Sequence, residues 1–212
     1  MSLSEAILAG FGITQDDVRQ FSSSNVGLHG VDVGRLSQFL LAQLTSACKH
    51  RTLNTFVVTD VIQNLEGVRS RPNAPKPRPF NGEALRGLWK VHFVDASFLL
   101  QNILNEWSLP SDRSRKFEEL CRRVACDEAS NPSPHGWQGR LAHELVIGGY
   151  RRRAAKQRLT GEWLVFGIHE QKNVYLALCS HTNSPEEDSA LYEDLLRLCG
   201  EEFPDVFIAG GG

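Results

Sequence analysis

The stretch LTGEWLVFGIHEQKNVYLALCSH, residues 159–181, decides the fold of this 212-residue chain. It contains two apolar runs, 163–168 and 174–179, on either side of a short polar segment, and this order predicts a β-hairpin. Both alternating faces of each run are apolar, which is typical of central strands in a sheet that is covered on both sides. Polar residues at the ends of the two strands are therefore expected at the rim of that sheet.

Three ionisable residues occupy this rim: Glu162, His169 and His181. A two-residue turn at 171–172 would place Glu162 opposite His181, whereas a three-residue loop would place Trp163 there, and the sequence allows both registers. His169 lies beside the turn, about 20 Å along the strands from His181, because a strand rises about 3.3 Å per residue. His169 and His181 are therefore not expected in one site.

A further strand is predicted at 88–93, where Lys90 and His92 are two residues apart and so share a face. A metal-independent ribonuclease needs a base for the 2′-hydroxyl proton, an acid for the leaving oxygen and cations for the transition state. His92, Glu162 and His181 are the candidate catalytic residues, with the two histidines transferring protons and Glu162 as their partner. The alternative is that all three are polar strand residues with only structural roles.

Positive charge is concentrated just upstream of the hairpin, at the predicted end of a helix over 137–158. Arginine can bind phosphate through two hydrogen bonds at once, so this cluster favours RNA or another phosphate-bearing partner. The alternative is a solvated helix end whose cations complement the helix dipole. The predicted phosphate-binding or nucleic-acid-binding residues are Lys90, Arg151, Arg152, Arg153, Lys156 and Arg158.

The composition is that of a folded protein rather than a disordered one, with 41% hydrophobic and 23% charged residues. The net charge of -2 hides a basic middle, within 113–158, and an acidic end, within 186–205. A basic face and an acidic region are expected. The start of the chain has no basic segment followed by a long apolar run, so we expect no membrane association and a cytoplasmic location.

The five cysteines are odd in number and widely spread, so we expect reduced thiols in the core. Cys179 and His181 are two residues apart on one strand, but this spacing is not a zinc signature. Cys121 and Cys126 are five residues apart on a predicted helix and do not share a face. The sequence therefore predicts neither a metal site nor a cofactor.

The predicted fold is α+β, with N-terminal helices packed on a small, mainly antiparallel sheet with flanking helices. The expected division is an N-terminal helical region at 1–68, a proline-rich linker at 69–80 and an α+β region at 81–208. Prolines at 72, 75, 77 and 79 exclude a regular strand ladder from the linker. Apolar spacing and capping residues predict helices at 2–10, from 14, at 36–47, 54–67, 97–107, 111–126 and 137–158, and from 184.

Residues 85–93 (LRGLWKVHF), the hairpin strands and the terminal His181 resemble RelE/YafQ-type toxins, the small bacterial endoribonucleases of toxin–antitoxin systems. In that family a late hairpin is followed by a functional histidine, and basic residues surround the RNA. The resemblance implies a bacterial or phage toxin that cleaves RNA without a metal, with an antitoxin or immunity protein as its partner. The other hypothesis is a non-enzymatic module of a mobile-element or defence system that binds nucleic acid or protein.

Overall fold

The computed structural model describes residues 3–72, 74–93, 103–104, 106–109, 114–149, 152 and 162–208. The chain forms two compact units, one made of Met1–Phe93 with Gly161–Gly212 and the other of Val94–Thr160. The first unit combines helices with a four-stranded antiparallel sheet, so the predicted α+β fold is confirmed. Within the described residues, no helix has the length and apolar character needed to cross a membrane.

The N-terminal helices begin where the sequence places capping residues. Thr14 accepts a hydrogen bond from the backbone N–H of Asp17 at 3.2 Å, and the Asp17 carboxylate accepts one from the backbone N–H of Thr14 at 2.8 Å. This reciprocal pair satisfies two N–H groups that lack partners within the helix. The helices are α1 (Leu3–Gly10), α2 (Gln15–Ser24), α3 (Gln38–His50) and α4 (Thr55–Leu65), with 3₁₀ turns at Val26–Leu28 and Val33–Arg35.

The sheet has the order β1-β2-β3-β4, and each neighbouring pair is antiparallel. Its strands are β1 (Arg78–Pro79), β2 (Trp89–Phe93), β3 (Glu162–His169) and β4 (Lys172–Cys179). The predicted hairpin is the pair β3–β4, so β3 lies between β2 and β4. Residues on β2 and β4 are thereby held on either side of the same central strand.

The hairpin register differs from both predicted alternatives. The turn is formed by Glu170 and Gln171, with φ values of 48° and 63°, so His169 pairs with Lys172. This turn lies one residue earlier than predicted, and no Asn-Gly pair marks it in the sequence. A bulge after Val165 then shifts the pairing by one residue, so that Trp163 pairs with Cys179.

The proline-rich stretch also differs from its predicted role. Arg78 pairs with Lys90, and the backbone N–H of Phe80 donates to the carbonyl of Leu88 at 3.0 Å. The C-terminal end of the proline-rich stretch therefore belongs to the sheet. Proline is compatible with an edge strand because its missing N–H then costs no inner ladder bond. The chain passes between the two compact units at residues 93–94 and 160–161.

The sheet is buried on both sides, as the sequence predicts. On one face Trp163 and Val165 belong to a core cluster with Leu195 of helix α7 (Pro185–Cys199) and Val206 of helix α8 (Pro204–Ile208). On the alternate positions Val91, Phe93, Leu164, Phe166 and Tyr175 are buried. Helix α3 contacts β4 and helix α4 contacts β2. Such burial on both sides accounts for the uninterrupted apolar runs of the hairpin.

The open edge of β4 is covered by side chains and backbone from the N-terminal region. The Ser37 N–H donates to the carbonyl of Tyr175 at 2.9 Å, and the Ser37 hydroxyl donates to that of Leu176 at 2.5 Å. The Gln43 amide donates to the carbonyl of Leu178 and accepts from its N–H, both at 2.8 Å. Gln43 thus replaces the hydrogen bonds that another strand would make.

The second unit contains helices α5 (Arg115–Ser130) and α6 (Gly136–His143), followed by a π-helical turn at Glu144–Gly148. Ser114 caps α5, while the predicted start at Ser111 and most of the predicted helix at 97–107 lie outside the described residues. A Cβ on Gly149 would lie 3.0 Å from the indole nitrogen of Trp107. Trp107 therefore approaches the backbone of Gly149 closely.

All five cysteines are free thiols. Cys199 is buried and Cys121 and Cys179 are partly buried, whereas Cys48 and Cys126 are exposed. The prediction of free thiols is confirmed, but their placement in the core is wrong for the two exposed cysteines. A helical residue at the edge of an apolar face can be exposed, because helix spacing alone does not say how wide the covered stripe is.

Candidate functional site

Two histidines and one tryptophan meet at the open end of the hairpin. Trp163 on β3 is opposite both His92 on β2 and Cys179 on β4, and His181 follows Cys179 by two residues. The ring centroids of His92 and His181 are 4.9 Å apart with the planes at 79°. The His181 ring stacks on Trp163 at 4.5 Å and 17°. We call His92, Trp163 and His181 the His–Trp cluster.

The hydrogen bond inside the cluster fixes the tautomer of one histidine. The indole N–H of Trp163 donates to Nε2 of His92 at 3.1 Å, so the neutral imidazole of His92 carries its proton on Nδ1. Nε2 of His181 is buried and makes no hydrogen bond within the described structure. The cluster therefore contains one ring nitrogen that is hydrogen-bonded and one that is buried without a hydrogen-bond partner among the described residues.

Lys90 brings a positive charge to the same face of the sheet as His92. Its Nζ lies 3.6 Å from the ring centroid of Trp163 and 4.4 Å from that of Phe80. Among the described residues, no carboxylate lies within ion-pair distance of this ammonium group. Two aromatic faces thus take the place of a counter-ion, an arrangement worth about 0.5–2 kcal/mol.

Burial and neighbouring charges favour the neutral forms of both histidines. Burial lowers the pKa of His92 to about 4, and positive charge on His181, Lys90 and Arg78 acts in the same direction. The pKa of His181 is lowered by burial and by Lys90. Both imidazoles are accordingly neutral at pH 7, in surroundings that attract an anion.

The amine of Lys90 is also affected by its surroundings. Burial lowers its pKa, and the charge of Arg78 adds to this effect, while Asp188 and Cys179 oppose it. Cys179 itself is inert, because burial raises the pKa of its thiol to about 12. Lys90 and Cys179 both lie beside Trp163. The pKa of Lys90 is lowered towards pH 7, whereas that of Cys179 is raised away from it.

Glu162 is not brought to the His–Trp cluster. It pairs with Phe93 and precedes Trp163 on the strand, so it points to the opposite face of the sheet. Its carboxylate accepts a hydrogen bond from the Ser180 hydroxyl at 3.5 Å, and burial raises its pKa. The structure therefore unites His92 and His181 and leaves out the predicted carboxylate partner, because the observed register does not place Glu162 opposite His181.

The described member of the predicted basic cluster is held inside the second unit. Arg152 lies within 3.2 Å of the Glu144 carboxylate and 3.5 Å of that of Glu106, with its guanidinium carbon 4.8 Å from the centroid of Trp107. These contacts engage the guanidinium in ion pairs, whereas the structural alternative expected it in solvent at a helix end. The other members, Arg151, Arg153, Lys156 and Arg158, lie outside the described residues.

Two aromatic residues of the site were missed by sequence reasoning. Trp163 and Phe80 are 5% and 6% exposed and pack edge to face at 5.3 Å. The apolar run places Trp163 in a strand but does not predict its contact with His92, although a tryptophan at a strand end offers an N–H beside its apolar surface. The sequence does not indicate a role for Phe80, because this residue ends the predicted proline-rich linker at 69–80.

An apolar groove of about 560 Å³ lies between α1, α3, β4 and α7. Its volume is typical of small-molecule sites. However, the amide of Gln43 in its wall is already bonded to Leu178, and Asp194 and Arg197 at its rim pair with each other at 2.7 Å. The groove therefore offers apolar contact area, while these polar side chains already have partners. Its apolar lining includes Ile7, Phe39, Ala177, Cys179, Leu195 and Leu198.

The described residues contain no group of three or more His, Cys, Asp or Glu side chains placed to hold a metal ion. Comparisons with protein-family models, curated proteins and solved structures found no match to this chain. Among the described residues, the His–Trp cluster and Lys90 are the features that bear on the predicted function.

Proposed function

We propose that this protein cleaves RNA by metal-independent acid–base chemistry at the His–Trp cluster. The observation that carries the proposal is the 4.9 Å approach of the His92 and His181 rings on the sheet face that also holds Lys90. Two imidazoles and an ammonium group supply the base, the acid and the cation that phosphodiester cleavage requires. Glu162 has no part in this proposal.

His181 is the first candidate for the general base. Its imidazole is neutral at pH 7, and its Nε2 has no hydrogen-bond partner, whereas Nε2 of His92 is bonded to Trp163. The base would take the 2′-hydroxyl proton while the 2′-oxygen attacks phosphorus and the bond to the 5′-oxygen breaks. Because Nε2 of His181 is covered, the proposal requires this ring to turn when RNA binds.

Lys90 is the candidate for stabilising the phosphorane-like transition state and protonating the departing 5′-oxygen. Its lowered pKa makes proton donation easier than from an ordinary lysine. A bound phosphate would also raise the pKa of both histidines, because an opposite charge favours the protonated form. His92, whose Nε2 accepts the hydrogen bond of Trp163, would position the ring of His181.

Purified protein incubated with RNA in the presence of EDTA tests the proposal. We expect cleavage by the wild type, loss of roughly 100-fold or more in His181→Ala, and nearly full activity in the matched His169→Ala control. RNA with a 2′-deoxy substitution at the cleaved position should resist. If the wild type does not cleave, or if the two variants are equally active, the proposal fails.

The contacts that His92 and Lys90 already make with Trp163 favour one other function, that of a non-enzymatic nucleic-acid-binding or protein-interaction module. Trp163 already holds His92 at 3.1 Å and Lys90 at 3.6 Å, so these groups could serve only to shape a surface. RNA binding that weakens steeply with salt, without any cleavage, would favour this function over the enzyme. An antitoxin-like protein is the partner class that either toxin-related function would suggest, and co-purification from the native host would test it.

A further inference from the structure

A cleft of about 380 Å³ lies between helices α2 and α3 and the first turn of α4. This volume is within the range of small-molecule sites. The cleft belongs to the first compact unit, and none of its lining residues is a member of the His–Trp cluster. Its polar lining includes Asn25, Thr45 and Thr55, and its aromatic lining consists of Phe21 and Phe56.

The hydroxyl group of Thr45 indicates that the cleft receives a ligand. Buried hydroxyls are mostly hydrogen-bonded, and a helical threonine can donate to the carbonyl four residues earlier. Thr45 is 3% exposed and lines the cleft, yet its Oγ1 is buried and makes no hydrogen bond within the described part of the chain. A polar group buried in this way costs free energy in the unliganded protein. A polar group of a bound molecule would satisfy this hydroxyl.

The other polar groups of the cleft favour a neutral ligand. Oδ1 of Asn25 accepts the N–H of Gly27 at 2.8 Å, so its Nδ2 is the side-chain group that can donate to a ligand. The ammonium group of Lys49 lies 2.8 Å from the carboxylate of Asp17, which also accepts the N–H of Thr14 at 2.8 Å. Because these two charges pair with each other, the cleft has no excess charge to attract an ion.

The aromatic residues favour a planar ligand. Phe21 is 7% exposed, whereas Phe56 is 56% exposed and so offers a ring face on which a base can stack. We propose that the cleft binds a nucleoside through its base, a neutral planar heterocycle with hydrogen-bond acceptors and N–H donors. Asn25 requires an acceptor on the base, while the hydroxyl of Thr45 can pair with either kind of group. This binding does not depend on RNA cleavage at the His–Trp cluster.

Protection of Cys48 from alkylation tests the site. Cys48 lines the cleft and Cys126 belongs to the second unit, and both are exposed free cysteines. The full chain is treated with N-ethylmaleimide, alone or with millimolar uridine, cytidine, adenosine or guanosine, and peptide mass spectrometry follows both thiols. We expect at least one nucleoside to slow modification of Cys48 several-fold and to leave that of Cys126 unchanged. No protection, or equal protection of both cysteines, would overturn the proposal.

The 5′-monophosphate of the protecting nucleoside tests the expected neutrality of the ligand. It should protect Cys48 no better than the nucleoside itself, because the charges of Lys49 and Asp17 are paired. Clearly stronger protection by the monophosphate would show an anion site instead of a base site and would contradict the proposal.

Thr45→Val separates a ligand-binding hydroxyl from a structural one. Since Oγ1 has no partner in the described structure, the free energy of unfolding in urea should not fall, whereas nucleoside affinity in calorimetry should weaken roughly 3–10-fold. Ser46→Ala on the same helix is the matched control. The Ser46 hydroxyl donates to the carbonyl of Phe11 at 3.0 Å and does not line the cleft, so this change should lower stability and leave affinity unchanged.

Unchanged affinity in Thr45→Val would overturn the role of this hydroxyl. If Thr45→Val does not fold, protection of Cys48 in the wild type still decides. RNA plays no part in these assays, so their failure and that of the ribonuclease are distinguishable.

Discussion

The two ends of the β3–β4 hairpin carry the same residue type in opposite environments. At the open end, His181 stacks on Trp163 and its Nε2 is buried without a partner. At the turn, the side chain of His169 is 43% exposed and lies 3.8 Å from Asp205 and 3.9 Å from Glu170. The neighbouring elements therefore decide what a rim histidine can do. Strand β2 supplies His92 and Lys90 at one end, whereas the turn end meets exposed carboxylates.

Of the substitutions that distinguish the two ends of the hairpin, replacement of Trp163 should cause the largest loss in the free energy of unfolding. Trp163→Ala removes a side chain that is 5% exposed, together with the ring on which both His181 and Lys90 rest. We expect a loss of roughly 3–5 kcal/mol in the free energy of unfolding, measured by urea denaturation. Ile168→Ala, at a position 44% exposed near the turn, is the control and should cost much less. Equal losses would show that the open end is not the better packed one.

Gly167 tests the packing near the turn. A Cβ at this position would lie 2.2 Å from Cγ1 of Val206 in helix α8, closer than van der Waals contact allows. Gly167→Ala should therefore destabilise the protein by about 1–3 kcal/mol. The double variant with Val206→Ala should lose less than the sum of the two single changes, because removal of the Val206 methyl groups makes room. Additive losses would mean that helix α8 does not press on this glycine.

Acid should weaken the open end selectively. The pKa of His92 is lowered to about 4, below its ordinary value near 6.5, so the unfolded chain binds a proton at higher pH than the folded one. Stability should be complete above about pH 6.5 and fall by about 1–2 kcal/mol, allowing for solvent screening, as the pH drops towards 4. Thermal unfolding across this range measures the effect, and His92→Gln should flatten it. An unchanged slope in His92→Gln would contradict the assignment.

The smallest effect is expected at the turn histidine. The contacts of His169 with Asp205 and Glu170 are long and exposed, and such ion pairs contribute little. His169→Gln should change the free energy of unfolding by less than about 0.5 kcal/mol at pH 7. A larger loss in urea denaturation would show that the two ends of the hairpin are more alike than their geometry indicates.

The hairpin shows how far the sequence determines the fold. The apolar runs predict both strands and their burial on two faces, and the two-residue spacing of Lys90 and His92 predicts their shared face. The register could not be predicted, because the turn uses positive φ at Glu170 and Gln171 without glycine or asparagine. The bulge after Val165 gives no sequence signal. It nevertheless changes the β4 partners of Trp163, Leu164 and Val165 by one residue.

The site was predictable in its residue types but not in its geometry. Periodicity assigns His92 and His181 to strands, while their approach depends on β2 pairing with β3 across an intervening segment of about 70 residues. Long-range strand pairing is not encoded in local spacing. The same holds for Arg152, whose carboxylate partner Glu106 lies far from it in sequence.

The hydrogen bonds of Ser37 and Gln43 to β4 have a consequence for intermolecular contacts, because they occupy backbone groups at the edge of the sheet. An uncovered strand edge is a template for pairing with another molecule. If α3 detached locally, the backbone groups of Leu176 and Leu178 would become available to a second copy. The opposite edge is blunted by Pro79 in β1. Helix α3 thus protects the edge of β4 from pairing with another molecule, although the helix and the strand are far apart along the chain.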